Sequence, residues 1–319
     1  MRMDRRDFVK GVTAAGITLA LGGAVSGEER MAVKGQLQKR AYGDTGVELS
    51  IIGLGGIVVS RLEQSQANEI VAWAMDRGVN YFDVAPTYGD AEERLGPALK
   101  PYRDGSFLAC KTIKRDAAGA REELEHSLRV LQTDHFDLYQ LHGFSSTDEV
   151  EQAFGPRGAM ETFLQARAQG LIRFIGFSAH SVDAALAALE RFDFDSVLMP
   201  LNVGCIENGN FGPQVIAKAQ EVGAALLALK AIAWSPVPKG APKPYAKCWY
   251  QPIQDRELAR LALGYTLDLP ITAAVPPGDE TLFQMVTELA LEYKPLEAAE
   301  NQELLARIQG VEPIFRHEG

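Results

Sequence analysis

Three stretches decide the fold: YFDVAPTYG (81–89), FLACKT (107–112) and DLYQLHG (137–143). Each is a short apolar run bounded by turn residues. None shows clean polar alternation, which is the pattern of a strand buried on both faces. Asp83, Tyr88, Lys111 and His142 stand at or just beyond the ends of these runs. One short step separates the first two, and steps the length of a βα unit separate the rest. A carboxylate, a phenol, an ammonium and an imidazole at one rim of a parallel barrel form a proton-donating site. The same residues therefore specify an architecture and a chemistry.

Working outward, similar runs recur at 49–56, 80–86, 106–112, 136–142, 173–179, 196–202, 225–232 and 271–276. Helical patterns lie between them. Ser65–Gly78 places Ile70, Val71, Ala74 and Met75 on one stripe, and 119–132 places Leu124, Leu128 and Leu131 likewise. Similar patterns fill 149–169, 181–192, 213–222, 255–268 and 279–292, and one more covers 295–310. Gly78, Gly170 and Gly223 follow helix ends as C′ caps. This alternation predicts an α/β fold, a (β/α)8 TIM barrel with an extra C-terminal helix. Arg40–Ser50, with its Gly-Asp-Thr-Gly turn, predicts a short N-terminal hairpin. Residues 233–254 carry five prolines and break the rhythm. They predict a long loop after the seventh strand, on the face where barrels keep their active sites.

The 319 residues suit one such barrel with additions, and no linker divides them. A net charge of −10 disfavours nucleic acid as a partner. Cys110, Cys205 and Cys248 show no CxxC spacing and no Cys/His cluster, so no metal centre is expected. Gly53-Leu54-Gly55-Gly56 hints at a dinucleotide fingerprint, but Val58 stands where its third glycine belongs and no acidic residue follows at the right strand end.

Residues 1–26, MRMDRRDFVKGVTAAGITLALGGAVS, read as an address. A basic start precedes a Gly/Ala-rich apolar stretch too short for a confident membrane span. Ala24 and Ser26 supply a cleavage site before Gly27. Arg5-Arg6-Asp7-Phe8-Val9-Lys10 resembles a twin-arginine export signal. The resemblance implies folding in a bacterial cytoplasm, passage through the twin-arginine translocation machinery, and a mature protein in the periplasm or on the outer face of the cytoplasmic membrane. The expected organisation is a signal over 1–26, an exposed segment over 27–37 and the barrel over 38–319.

The site residues in their order, with the eightfold pattern, resemble the aldo-keto reductase family over 38–310. FDVAPTYG matches its Asp-to-Tyr segment, CKT its lysine strand and LYQLHG its histidine strand. The resemblance implies a nicotinamide-dependent oxidoreductase interconverting a carbonyl (aldehyde, ketone or sugar) and an alcohol. Tyr88 is the acid that protonates the developing alkoxide. Lys111 is expected to lower the phenol's pKa, Asp83 to hold Lys111, and His142 to bond the substrate oxygen.

For the cofactor, NADP or NAD, the resemblance points to Ser178, Asn202, Lys230, Gly278, Asp279 and Glu280. The family's Asn after Ser178 is Ala179 here, and its strand-six Gln falls at Leu198, so two carboxamide contacts are absent. Lys230 matches a lysine of one branch, and the resemblance implies that it faces cofactor or substrate or salt-bridges locally. No Lys or Arg occurs from 275 to 293 to hold a 2′-phosphate, and Asp279 or Glu280 suits a ribose hydroxyl instead. Trp234, Trp249 and Tyr250, with Tyr245, Lys239, Lys243 and Lys247, are the candidates for substrate selection. The alternative reading is a cofactor-binding or sensor protein with little turnover; a non-redox metal enzyme lacks a ligand set.

Overall fold

The computed structural model describes residues 35–319. The export signal expected over 1–26 lies outside the described residues, as does most of 27–37. Leu37 is already buried, its N–H donating to Arg77 O at 2.8 Å, so the exposed character expected of that segment ends before it.

Lys39–Ala41 (β1) and Glu48–Ser50 (β2) pair antiparallel in the expected hairpin, with Lys39 opposite Ser50. Thr45 ties the turn by donating its hydroxyl to Tyr42 O at 2.6 Å. Tyr42 is fully buried, and its hydroxyl donates to Ser196 Oγ at 2.7 Å. Arg40 Nη1 donates to Ile271 O at 3.0 Å. The hairpin thus stoppers the N-terminal end of the barrel with an aromatic ring whose polar atom is satisfied.

The barrel strands are Leu54–Gly55 (β3), Tyr81–Asp83 (β4), Phe107–Thr112 (β5), Phe136–Phe144 (β6), Ile172–Ala179 (β7), Ser196–Pro200 (β8) and Ala225–Leu229 (β9). Past a hairpin of Ala233–Pro236 (β10) and Tyr250–Pro252 (β11), Ala273–Val275 (β12) is the eighth. They are parallel in the order β3-β4-β5-β6-β7-β8-β9-β12. Gly53 N donates to Ala274 O at 2.9 Å and Ala274 N to Ile51 O at 2.8 Å, which joins the two edges. The first strand is shorter than its apolar run. Leu49 and Ser50 belong to the hairpin, and at Gly53 a Cβ would overlap the Tyr81 ring.

Inward-facing Tyr81, Phe107, Leu138, Leu198 and Leu227 fill the cylinder with Tyr42 and Leu49. Their alternation in sequence is the period of a strand whose inner face is core. The outer faces pack on ten helices among the described residues: Gln64–Asp76 (α1), Ala91–Leu99 (α2), Ala117–Val130 (α3), Thr147–Phe154 (α4), Ala159–Ala168 (α5), Val182–Arg191 (α6), Pro213–Val222 (α7), Arg256–Asp268 (α8), Glu280–Leu291 (α9) and Ala298–Ile308 (α10). Gly78, Gly170 and Gly223 adopt φ of 83, 76 and 75° at helix ends, as their sequence positions predict. Two elements differ from the sequence pattern. α2 gives no clear signal because Gly96-Pro97 reads as a breaker although it lies inside the helix. The single pattern over 149–169 is two helices, interrupted at Gly155-Pro156.

Candidate active site

Parallel strands deliver their C-terminal ends to one rim. Asp83 ends β4, Lys111 stands near the end of β5, His142 near the end of β6 and Ser178 near the end of β7. All four share the inward parity of the core residues below them: Tyr81 before Asp83, Ala109 before Lys111, Leu138 and Gln140 before His142. Asp83 is in register with Ala109 and Lys111 with Gln140. Lys111 therefore stands two residues higher than Asp83 on the adjoining strand, and its long side chain turns back to the carboxylate.

The Lys111 ammonium is ion-paired with Asp83 Oδ1 and donates to Val84 O at 3.2 Å. Asp83 Oδ2 accepts from Tyr81 Oη and from Gln140 Nε2, each at 2.9 Å. Sequence reasoning missed both supporting donors, although each stands two residues before a site residue on the same inward face. Burial works against the Lys111 charge, but Asp83 and Tyr88 outweigh it and the pKa is raised above the usual lysine value.

Lys111 Nζ lies 5.2 Å from the centre of the Tyr88 ring, and the Tyr88 and His142 rings meet edge-on at 5.7 Å. Burial is the largest influence on the Tyr88 phenol and raises its pKa; Lys111 pulls it down, as expected, but only in part, so the net direction is up. Burial, then the Lys111 charge, holds the His142 imidazole neutral, with its pKa lowered to about 3. His142 Nδ1 is buried without a hydrogen-bond partner in the protein. Arg115 Nη2 donates to His142 O at 2.7 Å and pairs with Glu149 at 3.3 Å, fixing the end of β6.

These residues line a cavity of about 240 Å3. Asp83, Tyr88, Lys111, His142 and Ser178 line it, as do Lys230, Lys247, Trp249, Tyr250 and Gly278. His180, which sequence reasoning left outside the site, lines it too. Ser178 Oγ accepts from Gly143 N at 2.8 Å, so its O–H remains a donor for a ligand. Ala179 and Leu198 are fully buried and offer no polar side-chain atom.

Seven expected residues do not line the cavity: Asn202, Trp234, Lys239, Lys243, Tyr245, Asp279 and Glu280. Asn202 Nδ2 donates to Lys230 O at 3.2 Å and Oδ1 accepts from Cys205 N at 3.0 Å, so both ends of its amide hold the backbone after β8 and β9. Asp279 caps α9, its Oδ1 accepting from Thr281 N at 3.0 Å and Leu282 N at 3.3 Å. Its carboxylate thus occupies the N-terminus of α9. Glu280 pairs with Lys247 at 2.7 Å, and Lys247 also donates to Val58 O at 2.8 Å. Trp234 lies on β10 and packs against the core. In the proline-rich loop, Trp249 is 47% exposed at the rim, whereas Lys239 and Lys243 are exposed away from the cavity. Arg256 pairs with Glu288 on the exposed surface at 3.3 Å, away from the cavity.

The C-terminal tail reaches this rim without any sequence signal. His317 N donates to Gly209 O at 2.8 Å, and Phe315 stacks on His180 at 5.0 Å and meets Trp249 edge-on at 5.7 Å. Among the described residues, no group of three His, Cys, Asp or Glu is placed to hold a metal ion, and no helix is long and apolar enough to cross a membrane.

The family model described as "Aldo/keto reductase family" matches residues 51–247, more than half of the chain. The chain belongs to the aldo/keto reductase family. It is 35% identical over 166 residues to Aldo-keto reductase YhdN of Bacillus subtilis, a stretch that is 46% of this chain and 48% of that protein. The chain thus spans about half the length of that reductase. It is 26% identical over 312 residues to L-galactose dehydrogenase of Arabidopsis thaliana, covering 88% of this chain and 96% of that one. The aldo-keto reductase AKR11C1 from Bacillus halodurans, in its holo form, superposes with a TM-score of 0.68 at 25% identity. The match covers 89% of this aldo/keto reductase family chain and 99% of that structure. The barrel that carries Asp83, Tyr88, Lys111 and His142 is therefore the family's barrel.

Proposed function

We propose that this protein is a nicotinamide-dependent oxidoreductase that interconverts a carbonyl and an alcohol, with Tyr88 as general acid and base. The observation that carries the reading is the buried chain of contacts from Asp83 through Lys111 to Tyr88, beside a neutral His142. The cavity suits a nicotinamide. Ser178 keeps a free donor, His142 Nδ1 is buried without a protein partner, and both border the same space. A reduced nicotinamide, when bound, would supply the hydride. The protein residues do the rest. His142 orients the carbonyl oxygen, Tyr88 Oη delivers a proton to it as negative charge develops, and Lys111 stabilises the phenolate left behind. In the oxidative direction the phenolate takes the alcohol proton.

Ser178 and the backbone at Gly278 are the groups that hold the cofactor. NAD suits the site better than NADP, because Lys247 is engaged by Glu280 and Arg256 by Glu288. A binding-only role is not favoured, since binding alone has no need of the complete proton-donating set. Mass spectrometry of small molecules released by denaturing the purified protein, with fluorescence titration of NADH and NADPH, tests this. Stoichiometric nucleotide or saturable binding is expected; neither would sink the redox reading.

Export is a second element of the proposal, resting on Arg5-Arg6-Asp7-Phe8-Val9-Lys10. A folded oxidoreductase outside the cytoplasm has no free nucleotide pool to draw on, so the proposal includes a tightly retained cofactor.

A further inference from the structure

Lys230 directly follows β9 at the C-terminal rim and lines the cavity. Its φ of 60° is a left-handed conformation that residues with a Cβ rarely adopt. Three hydrogen bonds hold it there: its N–H donates to Val275 O at 3.0 Å, and its carbonyl accepts from Ala233 N at 2.9 Å and Asn202 Nδ2 at 3.2 Å. A strained backbone secured from three sides fixes the point from which this side chain enters the site.

The other charges lining the cavity are compensated. Lys111 is paired with Asp83, Lys247 with Glu280, and His142 is neutral. The groups acting on the Lys230 charge are Lys111, Cys205 and Cys248, with no carboxylate among them. Burial lowers its pKa to about 8, which leaves most of the ammonium charged at neutral pH. The Phe315 ring, 5.8 Å from Nζ, is its weak cation–π neighbour. A largely buried ammonium without a counterion is unfavourable alone, and an anion brought to it is held by a charge-assisted hydrogen bond. Lys230 and His142 line the same cavity, so an anion held by Lys230 shares that space with the reacting carbonyl.

We propose that Lys230 binds an anionic oxygen of the substrate itself, so that the site selects aldehydes or ketones whose carbonyl carbon adjoins a carboxylate. This rests on the oxidoreductase reading above. The carbonyl carbon gains the hydride, the π pair moves to oxygen, and that oxygen takes the Tyr88 proton. The product is a 2-hydroxy carboxylate and the nucleotide is left oxidised, with the carboxylate unchanged on Lys230. The pyrophosphate of the nucleotide is the other anion that this ammonium suits, and the test separates the two.

Glyoxylate and methylglyoxal present the same aldehyde beside a carboxylate or an acetyl group. Wild type is expected to prefer glyoxylate. Lys230→Met should lower kcat/KM for glyoxylate about 10- to 100-fold, with methylglyoxal changed by less than about threefold and Lys230→Arg keeping the preference. Equal losses on both carbonyls with a matching loss of nucleotide affinity would put the anion on the cofactor and overturn the proposal. So would wild type that turns over methylglyoxal without preferring glyoxylate. If neither carbonyl is turned over, binding decides. Oxamate, an inert carboxylate of similar size, should raise the melting temperature of wild type and Lys230→Arg but not of Lys230→Met; no shift in wild type overturns the proposal. The oxidoreductase reading stands or falls separately, on nucleotide binding and on Tyr88→Phe.

Discussion

Lys111 and Asp83 form an ion pair whose side chains are only 1% and 2% exposed, under the ring of Tyr88. Removing one partner strands the other charge in the barrel, which costs about 3–5 kcal/mol in typical buried pairs. Asp83→Ala should therefore lower the unfolding free energy by about that amount, measured by urea denaturation. Asp83→Ala with Lys111→Met should recover most of the loss, because no bare charge remains.

Tyr88 titrates above the ordinary tyrosine value because burial outweighs Lys111. A raised pKa keeps the phenol protonated over a wider range, so the acid needed for reduction persists as pH rises. With a neutral carbonyl, reductive kcat should show no Tyr88 limb below about pH 10, while the oxidative rate, which needs phenolate, climbs throughout. A reductive limb near neutrality that disappears in Tyr88→Phe would contradict this.

His142 makes the opposite linkage. Its folded pKa, lowered to about 3 by burial and Lys111, lies below its unfolded value of about 6.5. The stability it contributes is present above the unfolded pKa and is lost as pH falls through that window. Urea midpoints of His142→Asn should fall less steeply between about pH 6.5 and 3 than those of wild type.

Gly278 borders the cavity where a Cβ would fall inside the Ile57 side chain. Gly278→Ala should cost about 1–3 kcal/mol of stability by overpacking and weaken nucleotide binding. Ile57→Ala in the same chain should restore much of both, read by thermal melts and fluorescence titration.

The sequence-level pattern reaches as far as local periodicity does. Asp83, Lys111 and His142 were legible because each closes an apolar run, and the runs repeat at βα spacing. Gln140 and Tyr81 carry the same inward parity, but their role depends on a carboxylate that tertiary structure brings to them. Asn202 and Asp279 occupy strand and helix ends where a polar side chain serves ligand or backbone equally well, and here backbone groups take them. Phe315 was invisible, since a tail lacking periodicity gives no hint that it returns to His180 and Trp249. The net direction of the Tyr88 shift was hidden for a related reason: the lowering by Lys111 is visible in the sequence, and the larger effect of burial is not.

The proposed export signal is checked in cells. Arg5→Lys with Arg6→Lys should shift the protein from periplasmic to cytoplasmic fractions while leaving its nucleotide content intact. An unchanged periplasmic fraction would remove the twin-arginine route from the account.

The most direct measurement is the single-turnover rate of NADH or NADPH oxidation with a carbonyl substrate, compared between wild type and Tyr88→Phe. Loss of the proton donor should slow the step by about 10²- to 10⁴-fold with nucleotide binding retained. A Tyr88→Phe rate equal to wild type would contradict the assignment of Tyr88 as the acid.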